Sequence, residues 1–335
     1  MTERLEDIAI KMVADGKGLL AADESTGTIK KRFDSINLES TETARRDYRE
    51  MLFRSDDAMK KYISGVILYE ETLFQKAADG TPFVDIIKAA GSLPGIKVDI
   101  GAKPMAYHPH EFITEGLDGL YERLRKYHEA GARFAKWRGV ITIGEQRPSW
   151  GSIKANSQSL ARYAALCQQA DIVPIVEPEV LMDGEPGTHD IDRCAEVTQW
   201  VLQTVFADLF DARVNLEGMI LKPNMIIDGK KARKASVEEV AEKTVKVLKA
   251  TVPSADPGIA FLSGGPSSEE ATAPLSTKSS VYYLPWSPTY SYCPPLPATA
   301  RHRRVGIQGI AAAGPRASTH RPAMNTFSSR WSPTL

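Results

Sequence analysis

The strongest constraint on the fold of this chain is an alternation in its sequence. Short β-rich runs alternate with amphipathic helical stretches. Seven runs are evident, namely Gly18–Asp23, Ile63–Tyr69, Ile96–Ile100, Arg133–Arg138, Ile172–Glu177, Met219–Lys222 and Ile259–Ser263. The helical stretches between them are Glu42–Leu52, Leu117–Ala130, Ser157–Gln169, Asp192–Asp208 and Ser236–Lys249. This alternation is typical of βαβ units and therefore predicts a parallel sheet.

An eighth strand can be accommodated near Tyr282–Tyr292. Eight strands favour a TIM (β/α)8 barrel with surrounding helices, and 335 residues is a normal length for one such barrel. The rival is an open doubly wound sheet, but no Gly-x-Gly-x-x-Gly follows the first strand. We assign residues 1–292 to the barrel and expect 293–335, a Pro-rich basic segment, to be a poorly ordered tail.

Charge is unevenly distributed along the chain although the formal net charge is zero. Residues 1–270 carry a net charge of −7, whereas the last 65 residues contain no Asp or Glu and carry +7. An acidic body lacks the basic stripe of a nucleic-acid-binding protein, so we predict no nucleic-acid partner.

The amphipathic stretch Thr2–Gly18 is no secretory signal, and no apolar run approaches the roughly 18 residues of a spanning helix. We therefore predict a cytoplasmic protein without a membrane partner, and three cysteines without C-x-x-C spacing agree with reduced thiols.

Ionisable residues stand at the carboxyl ends of nearly all the predicted strands. They include Asp23, Lys222 and three pairs spaced by two, Lys97 with Asp99, Lys136 with Arg138 and Glu177 with Glu179. Spacing by two directs both members of a pair to the same side of a strand. Because parallel strands end on the same face of a barrel, these groups are expected to meet at the face where barrel enzymes carry out their chemistry.

Lys222 follows three apolar residues and precedes Pro223, which ends the strand. Burial and the neighbouring charges of Lys97 and Lys136 would lower the pKa of its amine. A neutral amine can attack a ketone and form a Schiff base. The alternatives are a lysine that extends from the strand end to solvent, or one that binds a phosphate.

The carboxyl groups nearby suit proton transfer. Glu177 and Glu179 could deliver the proton needed to expel water during Schiff-base formation, or could merely neutralise the lysines. We expect one glutamate to transfer the proton and the other to neutralise the lysines. Asp23 could remove a hydroxyl proton and so trigger carbon–carbon cleavage, or could cap the following helix.

Residues 263–270 form a candidate phosphate-binding loop. Gly264 and Gly265 allow a close backbone approach to an anion, and Ser267 with Glu270 has the spacing of a capping box at a helix start. A simple glycine turn is the alternative. His108 and His110 are closely spaced but lack an obvious third ligand, so no metal site is predicted.

Six motifs in order resemble class I fructose-bisphosphate aldolase, between about residue 5 and about residue 270. They are Leu19–Gly27, Gly95–Asp99, Phe134–Arg138, Ile172–Glu179, Leu221–Met225 and Phe261–Gly265. The resemblance implies reversible cleavage of fructose 1,6-bisphosphate to dihydroxyacetone phosphate and glyceraldehyde 3-phosphate, in glycolysis and gluconeogenesis. It implies no metal or other cofactor, a cytosolic enzyme, and a homotetramer.

The resemblance also implies a role for each site residue. Lys222 would form the Schiff base, Glu177 would be the main proton-transfer group, and Asp23 would act on the C4 hydroxyl. Lys136 and Glu179 would support carbinolamine formation. The residues expected to hold substrate are Arg32 at one phosphate, Lys97, Arg138, Ser291, and Ser263, Gly264 and Gly265 at the other phosphate.

The chain departs from the family pattern after its predicted eighth strand. Ser291 is retained, but Cys293 replaces a glycine and Pro294 replaces a phosphate-binding arginine. Two further hypotheses follow from this departure and from the chemistry. The chain could be a catalytically impaired barrel that serves as a binding protein, or a Schiff-base aldolase for a different phosphosugar.

Overall fold

Eight parallel strands close into a barrel because the first strand pairs with both the second and the last. A computed structural model describes residues 3–184, 186–262 and 284–292. In barrel order the strands are β1 (Gly18–Ala22), β2 (Ile63–Leu68), β3 (Leu93–Lys97), β6 (Phe134–Thr142), β7 (Val173–Leu181), β8 (Ile220–Leu221), β9 (Gly258–Leu262) and β10 (Ser287–Tyr292). A two-stranded antiparallel sheet, β4 (Ala102–Pro104) and β5 (Phe112–Thr114), lies between β3 and β6 in the chain. The prediction of a TIM barrel is thus confirmed, and the open sheet is wrong.

Helices occupy most of the connections between the strands. They are α1 (Leu5–Met12), α2 (Thr26–Asp34), α3 (Glu42–Phe53), α4 (Asp56–Tyr62), α5 (Glu70–Phe74), α6 (Phe83–Ala89), α7 (Leu120–Glu129), α8 (Trp150–Gln169), α9 (Ile191–Asp211) and α10 (Val237–Thr251), with a 3-10 turn at Leu216–Gly218. In the described part of the chain no helix is both long and apolar enough to cross a membrane.

Two element boundaries differ from the prediction for identifiable reasons. The third strand runs over Leu93–Lys97 and not over Ile96–Ile100, because the Ile100 amide donates to the Glu115 carbonyl at 3.0 Å and not to a barrel strand. Helix α8 begins at Trp150, seven residues before the predicted Ser157. Its cap is Ser149, whose hydroxyl accepts the Ser152 amide at 3.1 Å, a signal that the sequence contained.

The inward-facing positions of the barrel change from apolar to charged along the strands. An apolar group that contains Leu19, Ile67, Phe134, Ile175 and Ile220 fills the amino-terminal part, and α1 packs against it through Ile8, Ala9 and Met12. Two residues further along the strands stand Lys136, Glu177 and Lys222. Because alternate strand residues share a face, the same face that forms the core also carries the charged residues.

Close packing in the barrel yields a stability prediction at Gly95. A Cβ there would meet the buried Phe134 ring, with Phe134 Cδ2 only 2.5 Å away. Gly95→Ala should therefore lower the free energy of unfolding by about 1–3 kcal/mol through overpacking. Urea denaturation measures this, with Gly139→Ala as the control because its Cβ would lie 3.4 Å from Leu160 Cδ1, an ordinary contact. Equal stability of the two variants would contradict the packing described.

Candidate active site

Lys222 lies immediately after β8, at the carboxyl end of the barrel. Its amide still donates to the Val176 carbonyl of β7 at 2.8 Å, so the backbone is held in the sheet up to this residue. The side chain is buried, and its Nζ donates to Glu177 Oε1 at 2.6 Å. The amine is thus enclosed and in direct contact with a carboxylate that can exchange protons with it.

A second lysine and an aspartate complete this buried group. Lys136 Nζ lies 2.7 Å from Asp23 Oδ2 and 3.5 Å from Glu177 Oε2. Glu177 is therefore placed between two amines, and Asp23 is tied to the same cluster from the end of β1. Glu177 Oε2 makes no hydrogen bond within the described part of the chain, which leaves it able to bond to a ligand.

The pKa shifts differ between the two lysines. Burial lowers the pKa of Lys222, Lys136 adds to that effect, and the charge of Glu177 only partly opposes it. For Lys136, burial is outweighed by Asp23, Glu177 and Asp99, so its pKa is raised and it stays an ammonium. Of the two amines, Lys222 is therefore the one suited to act as a nucleophile.

Both carboxyl groups of the cluster favour the ionised form. Burial alone would raise the pKa of Glu177, but the charges of Lys136, Lys222 and Arg138 lower it. The pKa of Asp23 is likewise lowered, since Lys136, Lys222 and Lys97 outweigh its burial. Each can therefore accept a proton in the resting state.

The outer rim carries two further charged pairs. Arg138 Nε donates to Glu179 Oε2, and the Arg138 side chain is 43% exposed. Lys97 Nζ lies 2.7 Å from Asp99 Oδ1. Glu179 therefore neutralises an arginine at the rim and, within the described residues, is not bonded to Lys136 or Lys222, whereas Glu177 contacts both lysines. The two glutamates thus have different partners, and the expectation that one transfers the proton while the other neutralises the lysines stays a prediction.

Arg32 belongs to a network behind the end of β1. Its Nη1 donates to Glu24 Oε1, and the other carboxylate oxygen of Glu24 accepts from Arg49 Nη2 at 2.8 Å. Sequence reasoning missed Glu24 and Arg49. A signal existed for Arg49, because it shares the buried face of α3 with Tyr48, Leu52 and Phe53.

The remaining predicted site residues are only partly visible. Ser291 is buried in β10, and its hydroxyl has no hydrogen-bond partner within residues 3–184, 186–262 and 284–292. The predicted phosphate loop of Ser263, Gly264 and Gly265, and the helix start at Ser267, lie outside the described residues. Cys293, Pro294 and the predicted tail lie outside them as well.

No set of three or more His, Cys, Asp or Glu side chains in the described part of the chain is arranged to hold an ion. His108 Nδ1 lies 2.8 Å from the Ala106 carbonyl, a local contact within the loop.

Comparison with known proteins gives consistent matches over most of the chain. A family profile described as fructose-bisphosphate aldolase class-I matches residues 4–330. A protein of Xanthomonas axonopodis pv. citri named probable fructose-bisphosphate aldolase class 1 is 54% identical over 291 residues, which is 87% of this chain and 86% of the relative. The fructose-bisphosphate aldolase of Drosophila melanogaster is 49% identical over 315 residues, covering 94% and 86%. A solved structure of Plasmodium falciparum fructose-bisphosphate aldolase superposes with a TM-score of 0.85 at 47% identity, covering 92% of this chain and 89% of that one.

Proposed function

The chain belongs to the class I fructose-bisphosphate aldolase family, and we propose that it cleaves fructose 1,6-bisphosphate reversibly through a Schiff base on Lys222. The observation that carries the proposal is the buried Lys222 amine, whose Nζ contacts the Glu177 carboxylate at 2.6 Å. The products would be dihydroxyacetone phosphate and glyceraldehyde 3-phosphate.

The first stage of the reaction joins enzyme and substrate. The Lys222 ammonium, whose pKa is lowered, first gives a proton to the Glu177 carboxylate, and the neutral amine attacks the C2 carbonyl of the open-chain sugar. One proton moves from the nitrogen to the C2 oxygen to give a carbinolamine. Glu177 then delivers the proton it has acquired to the C2 hydroxyl, water leaves, and an iminium ion forms. Lys136 stays charged beside the Asp23 and Glu177 carboxylates and stabilises them. Glu179 holds Arg138 at the rim.

The second stage breaks the C3–C4 bond. Asp23 takes the proton of the C4 hydroxyl, the C4 oxygen becomes the aldehyde oxygen, and the bonding electrons move to the iminium to form an enamine. Glyceraldehyde 3-phosphate departs. Protonation of the enamine at C3 and hydrolysis of the imine then release dihydroxyacetone phosphate and the free Lys222 amine.

Charged residues around this centre supply candidates for holding the two phosphates. Arg32, Lys97 and Arg138 would bind the substrate, with Arg32 at one phosphate. Ser263, Gly264, Gly265 and Ser291 would serve the other phosphate. The Ser291 hydroxyl is buried and has no hydrogen-bond partner among the described residues, which supports its part in this assignment.

Assembly and location follow the family in this proposal. We assign a homotetramer and a cytoplasmic enzyme, and several relatives are named as cytosolic or cytoplasmic isozymes, among them those of Arabidopsis thaliana and Spinacia oleracea. The alternative, an impaired barrel acting as a binding protein, has no observation in its favour within the described residues.

A coupled assay tests the proposed reaction. The purified full chain is expected to form both triose phosphates from fructose 1,6-bisphosphate, at the same rate with and without EDTA, because the lysine iminium accepts the electrons that a metal would otherwise accept. Substrate that stays intact, or activity that EDTA removes and zinc restores, would contradict the proposal.

The lowered pKa of Lys222 predicts how imine formation depends on pH. The ammonium must lose its proton before it can attack, so the rate of imine formation should fall as pH falls through the pKa of Lys222. The midpoint should lie below 10.5, the ordinary value for lysine. Glu177→Gln should move this midpoint lower, because it removes a charge that favours the ammonium. Rapid-quench borohydride trapping across a pH series measures both midpoints, and a midpoint at or above 10.5 would contradict the assigned environment.

A further inference from the structure

We infer that Arg49 is a positioning residue that keeps the positive charge of Arg32 available for a substrate phosphate. The inference deepens the proposed function and rests on it. Arg49 makes no contribution to the reaction steps described above, and it acts only through Glu24.

Arg49 is an arginine enclosed by the protein, with 1% of its side chain exposed. Its Nη2 donates to Glu24 Oε2 at 2.8 Å and to the Glu24 carbonyl at 3.2 Å, and its Nη1 donates to Thr72 Oγ1 at 2.8 Å. A charge so deeply buried is costly without a partner, and Glu24 is the partner that the structure supplies.

Glu24 connects this buried charge to Arg32, the residue proposed to bind a phosphate. It follows Asp23 directly in the sequence, its side chain is 4% exposed, and its second carboxylate oxygen accepts from Arg32 Nη1. Arg32 lies in the last turn of α2 with 28% of its side chain exposed. Glu24 is thus one negative charge between two guanidinium groups, an inner one that is buried and an outer one that reaches solvent.

Arg49, Glu24 and Arg32 form a charged triad, and its net charge determines how strongly it attracts an anion. With Arg49 present, Glu24 is neutralised from inside, and the triad keeps one net positive charge that Arg32 can offer to a phosphate. Without Arg49, Arg32 becomes the nearest counter-charge of Glu24, and the net charge of the remaining Glu24–Arg32 pair is zero. Arg49 therefore sets the affinity of Arg32 for phosphate without touching the substrate.

Removal of the Arg49 charge tests this role. Arg49→Met should raise KM for fructose 1,6-bisphosphate roughly fivefold to tenfold with little change in kcat, since one positive charge close to Arg32 is lost. Product inhibition gives a sharper readout, because Arg32 can serve the phosphate of one triose phosphate only. The inhibition constant of one triose phosphate should rise, and that of the other should stay unchanged, whereas a general structural defect would affect both.

The double variant Arg49→Met with Glu24→Gln restores the net charge of the triad. Its KM should return to within about threefold of the natural value, because replacing both members of a buried pair is often tolerated. The control is Arg46→Met, which removes another arginine of α3, one whose Nε donates to its exposed neighbour Asp47 at 3.0 Å. Arg46→Met should leave KM and both inhibition constants unchanged.

The outcomes separate this inference from the proposed function. If the natural chain fails to cleave fructose 1,6-bisphosphate, the proposed function fails. If the natural chain cleaves it and a folded Arg49→Met shows an unchanged KM, or the double variant is as weak as Arg49→Met, the role of Arg49 is refuted. Should Arg49→Met fail to fold, Glu24→Gln decides, since the glutamine oxygen and the backbone carbonyl at residue 24 can still accept from Arg49 while one negative charge is removed. Glu24→Gln should lower KM roughly fivefold. An unchanged KM in Glu24→Gln would equally overturn the inference.

Discussion

Replacing Lys222 with methionine should lower the cleavage rate by about four orders of magnitude or more, because the covalent route is removed outright. Methionine keeps the volume and apolar character of the lysine stem, so the barrel should stay folded. The loss should appear in kcat, since the residues that hold the phosphates remain.

A matched control separates the amine of Lys222 from lysine charge in general. Lys230 is an exposed lysine on the loop after β8, eight residues further along the chain. Lys230→Met should retain the natural rate. If Lys222→Met keeps more than about a tenth of the natural activity, a value far above what loss of a covalent nucleophile permits, the assignment is wrong.

Replacing Glu177 with glutamine should lower kcat by about 10²- to 10⁴-fold, the usual contribution of a general acid or base. Glutamine has the same shape and can still bond to Lys222 and Lys136, but it cannot carry the proton to the departing hydroxyl. Burial at 2% exposure means that water cannot readily take over the task. Steady-state kinetics measures the loss, and circular dichroism checks that the variant is folded.

Glu179→Gln is the natural comparison because it removes the other glutamate of the same strand. Glu179 bonds to Arg138 at the rim, and Lys222 is bonded to Glu177. The expected loss is therefore smaller, about tenfold or less, as for a partly exposed ion pair. Equal losses in the two variants, or a larger loss in Glu179→Gln, would show that the roles have been assigned to the wrong residues.

Much of the site could be predicted from the sequence because barrel geometry turns position along a strand into position in space. Apolar residues followed after two positions by a charge, as in Phe134 with Lys136 and Ile175 with Glu177, indicate one inward face that passes from core to site. The closed order of strands in the structure then brings Asp23, Lys136, Glu177 and Lys222 together.

Other features depend on contacts between distant segments and left weaker signals. Arg49 and Glu24 are 25 residues apart, and their pairing follows only from how α3 packs on the end of β1. The separate partners of Glu177 and Glu179 could not be predicted from their spacing. Residues spaced by two lie on the same side of a strand but at different depths in the barrel. The end of the third strand is misplaced in the prediction because the Ile100 amide bonds to Glu115, a residue outside the barrel strands.

The central claim is that Lys222 forms the covalent bond with substrate, and borohydride trapping tests it most directly. The full chain is incubated with dihydroxyacetone phosphate, reduced with borohydride, digested and analysed by mass spectrometry. We predict that the added mass lies on the peptide that contains Lys222 and is absent from the Lys222→Met variant. Added mass on Lys97 or Lys136, or none on any lysine of an active enzyme, would contradict the claim.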